Sequence, residues 1–97
     1  MARTETPNRE SQRSRGATDL GAPWRVIVRN DDHNTFEGVA YALSLTLPGV
    51  TPEGGLKLAT TIHNAGLAVV WSGHLELAEL YHEQLAGFGL TMAPLEQ

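Results

Sequence analysis

The sequence predicts an α+β domain: a three-stranded antiparallel sheet with three helices packed on one face, in the order β-α-α-β-α-β, behind a disordered N-terminal arm. Three observations lead there. Runs rich in β-branched residues occupy positions 24–29 and 67–71, with a shorter apolar run at 90–93. The stretches between them repeat apolar residues at helical spacing. Turn and capping residues mark the boundaries. Strands and helices in one short chain must bury their apolar faces against each other, and helices on one side of a small sheet is the economical way.

The arm is expected to span residues 1–22 and the folded domain residues 23–97. Residues 1–22 hold one large aliphatic residue, Leu20, among Arg, Thr, Ser, Glu, Gly and Pro. Such a stretch cannot bury enough apolar surface to offset its ordering entropy. The first strand is read at 24–29, where Trp24, Val26 and Val28 fall on a core face and Arg25, Ile27 and Arg29 near solvent. Residues 30–35, Asn-Asp-Asp-His-Asn-Thr, break it, because Asn and Asp side chains bond nearby backbone N–H groups. Phe36, Val39, Ala40, Leu43 and Leu47 then repeat at helical spacing until Pro48-Gly49.

Thr51 is the expected N-cap of a second helix, with Pro52 at its first position and Gly66 as its C-terminal cap. Its apolar residues are Leu56, Leu58, Ala59, Ile62 and Ala65, while Gly54 and Gly55 weaken its intrinsic propensity. Residues 67–71 give a second strand. Ser72-Gly73 is read as a turn before a helix from His74 to about residue 86. That helix puts Glu76, Glu79 and Glu83 on one face and Ala78, Tyr81 and Leu85 on another. Gly87 and Gly89 end it, and 90–93 give a short last strand.

Composition narrows function. The 97 residues include no cysteine, which excludes disulfides, a thiol nucleophile and cysteine-based metal centres. No apolar run approaches a membrane span, and the first residues lack the apolar core of a signal peptide, so a cytoplasmic protein that meets no membrane is expected. The formal net charge is −4. Residues 1–22 carry four arginines against three acids, and the remainder carries eight acids against three bases. An acidic domain repels phosphate backbones, so no nucleic-acid partner is expected.

Asn30, Asp31 and Asp32 group acceptor oxygens at the exit of the first strand, either as a loop and cap cluster or as a cation site. His63, in the last turn of the second helix, could serve the helix dipole or face that loop with an acceptor nitrogen. Phe36, Val39, Ala59 and Ile62 are core by periodicity, or the lining of a pocket between the first two helices. The stripe Glu76, Glu79, Glu83 is a solvated face or a docking face. Asp31, Asp32, His33 and His63 have metal-ligating chemistry but no supporting spacing, so neither metal nor cofactor is expected. No nucleophile elbow or phosphate-binding loop occurs.

Residues 26–32, Val-Ile-Val-Arg-Asn-Asp-Asp, followed by a helix and then residues 58–69, Leu-Ala-Thr-Thr-Ile-His-Asn-Ala-Gly-Leu-Ala-Val, resemble the ClpS family. The resemblance covers about residues 24–92. Members of that family are adaptors, not enzymes. They bind the free α-amino group and the large first side chain (Phe, Leu, Trp or Tyr) of N-degron substrates and deliver them to a Clp AAA+ ATPase of the ClpA or ClpC type. The resemblance implies the fold above and a mobile N-terminal arm. It implies that Asn30, Asp31 and His63 accept from the amine and that Asp32 and Asn34 hold the first peptide groups. Phe36, Val39, Ala59, Ile62 and Leu90 then line the side-chain pocket, and Glu76 contacts the ATPase. A monomer is expected.

Several positions depart from the family pattern: Asn34 for Thr, Phe36 for Met, Ala59 for a Met wall, and Tyr81 at a basic position. These leave a second reading, a protein-interaction domain that keeps the fold and has lost amino-terminal binding.

Overall fold

The computed structural model describes residues 21–97. Its elements are β1 (Trp24–Arg29), α1 (Phe36–Thr46), α2 (Pro52–Ala65), β2 (Leu67–Gly73), α3 (Leu75–Gly87) and β3 (Thr91–Met92). The sheet is antiparallel throughout, with β1 between β2 and β3. The three helices pack on one face, as the order of elements predicts. Most of the expected arm lies outside the described residues. Ala22 is an exception at its end: Gln97 Nε2 donates to its carbonyl at 3.0 Å.

The helices begin where local chemistry directs. Thr35 and Thr51 are extended N-caps whose hydroxyls accept from Gly38 N and Gly54 N at 2.9 and 3.0 Å. Gly66 closes α2 at φ 90°, where a β-carbon would strain the backbone. Gly55 is buried at the α1–α2 contact, and a β-carbon there would stand 2.6 Å from the Ala40 carbonyl oxygen. The glycine that weakens the helix in isolation is what lets the two helices touch.

One core joins the layers. Val26 and Val28 of β1, Ala42 and Leu43 of α1, Ala59 and Ile62 of α2, and Ala78 and Leu85 of α3 are all buried in it. A bulge between Val26 and Ile27 sets Trp71 opposite Val26 and leaves Val70 without a partner across the ladder. Both residues join the helix side: Val70 is core, and Trp71 packs edge-to-face on Tyr81, ring centroids 4.9 Å apart.

Some expectations are corrected. Ile27, read as facing solvent, is 4% exposed. Leu56 and Ala65, read as part of α2's apolar face, are exposed. Ser72 and Gly73 extend β2, so the chain enters α3 directly through His74, which caps the helix without a side-chain hydrogen bond. Those two residues pair with Arg25 and Trp24, and the ladder overrides their turn preference. The last strand is two residues long; Leu90 and Ala93 flank it and are buried. His82 Nε2 donates to the Ala93 carbonyl at 2.9 Å, tying the end of β3 to α3.

Candidate functional site

The loop after β1 is organised by one carboxylate. Asp31 Oδ1 accepts from the backbone N–H groups of His33 and Asn34 at 3.0 and 2.8 Å. Its Oδ2 accepts from Asn34 Nδ2 and from the Thr91 hydroxyl, both at 2.8 Å. The side chain is 12% exposed. Burial pushes its carboxyl up, but the hydrogen bonds from Asn34, Thr91 and His33 outweigh burial and hold it well below the usual carboxylate range. All four acceptor sites of the carboxylate are in use.

A second anchor fixes where this loop begins. The Asn30 N–H donates to the Gly66 carbonyl at 2.9 Å, so the loop starts against the C-terminal end of α2. His63 lies in the last turn of that helix. Its ring meets Phe36, the first residue of α1, edge-to-face at a centroid distance of 5.2 Å. The polar loop, the imidazole and the aromatic ring therefore border one another.

Beneath them opens a cleft of about 240 Å³. Its polar lining includes Asn30, Asp31, Asp32, Asn34 and His63, and its apolar lining includes Phe36, Val39, Ala59, Ile62 and Leu90. The volume falls below the roughly 300–1,000 Å³ usual for drug-sized ligands and suits a single large side chain. Every residue singled out for amine, peptide or pocket contact thus borders one cleft. Glu76 is not among its lining residues; it lies exposed in the first turn of α3. Among the described residues, no group of three or more His, Asp or Glu is placed to hold a metal ion. No described helix is long and apolar enough to cross a membrane.

The family model for the ATP-dependent Clp protease adaptor protein ClpS matches residues 21–93. A ClpS adapter protein of a Nostoc species is 47% identical over 98% of this chain and 95% of its own length. The chain belongs to the ClpS family. A Thermosynechococcus vestitus ClpS adapter is 52% identical over 75% of this chain and 78% of its own. The structure of Agrobacterium tumefaciens ClpS2 bound to L-phenylalaninamide superposes with a TM-score of 0.67 at 26% identity, over 76% of this chain and 96% of that one.

Two departures from the usual ClpS pattern now have physical content. Tyr81, at the position usually basic, packs against Trp71 in the core margin. Asn34, at the position usually Thr, uses both amide hydrogens: one on Asp31 Oδ2, the other on the Gly89 carbonyl at 3.0 Å. The sequence marks Gly89 as a helix end and Thr91 as strand, but signals no part for either at this loop. They meet the loop from 55 and 60 residues away, and no local pattern signals such pairs. A hydroxyl beside Leu90 in a strand too short to carry a clear alternation was the one available hint.

Proposed function

We propose that this protein is a non-catalytic adaptor that binds the free α-amino group and large apolar first side chain of N-degron substrates and delivers them to a Clp AAA+ ATPase. The observation that carries this is the junction of an acceptor-rich rim with a one-side-chain apolar cleft. A substrate's first residue is the one place in a chain where a cationic group with three donors sits two bonds from a side chain. Phenylalaninamide, the ligand of the Agrobacterium relative, has the same two features.

In this reading the Asn30 side-chain oxygen and an unprotonated His63 ring nitrogen accept from the amine. Asp31, with its oxygens filled, acts on the amine through its charge. Asp32, whose side chain is fully exposed, and the remaining Asn34 oxygen hold the first peptide N–H groups. Phe36, Val39, Ala59, Ile62 and Leu90 enclose the side chain. Glu76 serves the ATPase contact; with Tyr81 in the core margin, that contact lacks the family's neighbouring cation and is weaker than usual. The adaptor works as a monomer in the cytoplasm, with residues 1–22 as its delivery arm.

A panel of peptides that differ only at the first residue tests the assignment. Phe, Leu, Trp and Tyr bind well and Ala and Asp bind poorly. Ala59 leaves space that a Met would fill, and Phe36 fills part of it. Ile and Val are therefore rejected by only about 1–3 kcal/mol, the scale of one or two methylenes in an apolar pocket. A panel that binds without regard to the first residue contradicts the proposal and leaves the interaction-domain reading.

A further inference from the structure

Leu90 closes the cleft and is 6% exposed, yet the strand that follows it is only two residues long. Two ladder pairs, Val28 with Met92 and Arg29 with Thr91, are a thin basis for holding a pocket wall in place. The chain reaches Leu90 through a tight turn at Gly89, φ 92°. On one side of Leu90 the Gly89 carbonyl is bound by Asn34 Nδ2; on the other the Thr91 hydroxyl is bound to Asp31 Oδ2. Asn34 Nδ2 also donates to that same Asp31 oxygen. The backbone flanking the wall is thus clamped from both sides to the loop that forms the polar rim.

Asn34 is the only member of this clamp that touches both of the other parts, the Asp31 carboxylate and the α3–β3 turn. It can do so because a carboxamide has two N–H donors. A Thr side chain, with one hydroxyl hydrogen, can serve the carboxylate or the Gly89 carbonyl but not both. With both hydrogens committed, the carboxamide is oriented, and its oxygen is the atom left free.

We propose that Asn34 is a positioning residue for substrate selection: by bridging Asp31 and the Gly89 carbonyl it sets where Leu90 stands, and so how tightly the cleft grips a first side chain. This role rests on the proposed N-degron site and adds to any direct contact its oxygen makes with a substrate. It also connects rim and pocket, so that a change at the polar loop is felt at the apolar wall.

The test has two arms. In the first, amide hydrogen exchange is followed on the free protein, wild type against Asn34→Ala and Asn34→Thr. Losing one hydrogen bond to the turn is expected to speed exchange at Leu90 by about tenfold, with Val26 and Val28 unchanged. Unchanged exchange at Leu90 overturns the clamp. In the second, affinity for a Phe-initiated peptide is measured in a double-mutant cycle of Asn34→Ala with Leu90→Val, a variant that keeps an apolar, foldable wall. If Asn34 acts through Leu90, its removal costs about fivefold in the wild-type background and clearly less beside Leu90→Val. Strict additivity means that Asn34 contacts the substrate only directly, and overturns the positioning role. Wild type that does not bind the peptide sinks the site itself, an outcome the exchange arm distinguishes.

Discussion

At the scale of single residues, Asp31 shows how one motif residue can organise a whole loop. Its type and place in the loop were plain in the sequence, and a direct acceptor role was the natural expectation. The structure fills its four acceptor sites from His33, Asn34 and Thr91. A carboxyl held below its ordinary value in the fold binds its proton less readily there than in the unfolded chain. Its stabilising contribution is therefore complete at neutral pH. It declines as pH falls below the unfolded value of about 3.9, toward the lower folded value. Asp31→Asn, which replaces two acceptor sites by a donor group, is expected to cost about 1–3 kcal/mol at pH 7. Urea unfolding at pH 7, 5 and 3 should show the gap between wild type and Asp31→Asn intact at the first two values and reduced at the third. A gap independent of pH would mean that the hydrogen bonds do not favour the ionised form. Asn34 was also visible as a departure from the family, but its partner Gly89 was not, because the contact exists only once α3 has returned the chain to the loop.

At the scale of elements, the parts best read from sequence were those with local causes. Thr51, Pro52 and Gly66 marked the limits of α2, and each stands where its backbone preference put it. What failed was set by partners distant in sequence. Ile27 alternates like a solvent-facing residue but is enclosed in the central strand, and Ser72-Gly73 reads as a turn yet pairs with β1. Gly55 is the clearest case. In sequence it is only a weak helix former, while in the fold it is the point at which α1 and α2 meet, leaving 2.6 Å for a β-carbon. Gly55→Ala gains helix propensity and is nevertheless expected to lower stability by about 1–3 kcal/mol, because backbone must move to admit the methyl. Those two helices carry Phe36, Val39, Ala59, Ile62 and His63, so the same substitution should weaken binding of a Phe-initiated peptide. Thermal unfolding and the peptide titration check both. An unchanged or raised melting temperature would show that the helices can separate freely, and that their contact does not define the cleft.

At the scale of the whole molecule, α1, α2, the exit of β1 and the turn before β3 border one cleft. The order of elements was legible because strand and helix periods and caps agree with one another, whereas the residues bordering the cleft were legible only through the family resemblance that the paired motifs carry. The shape of the cleft was not legible, since it depends on Phe36 of α1, Ala59 of α2 and Leu90 in the turn before β3 lining the same space. In the proposed function, delivery is separate from binding. Deleting residues 1–20 should leave peptide affinity unchanged and impair degradation of an N-degron substrate by a Clp ATPase and its protease. Lost affinity would mean that these residues belong to the binding site. The central claim is that the rim of the cleft recognises a free amine, and one measurement tests it most directly: titration of the full chain with a peptide beginning in Phe and with its N-acetylated twin. The twin keeps the side chain and sequence but loses the charge and two of the three donors. Polar groups left without partners should then cost at least about 1–3 kcal/mol, roughly a tenfold or greater loss of affinity. Equal affinity for the two peptides would contradict the account, leaving a cleft that binds an aromatic ring and reads no amino terminus.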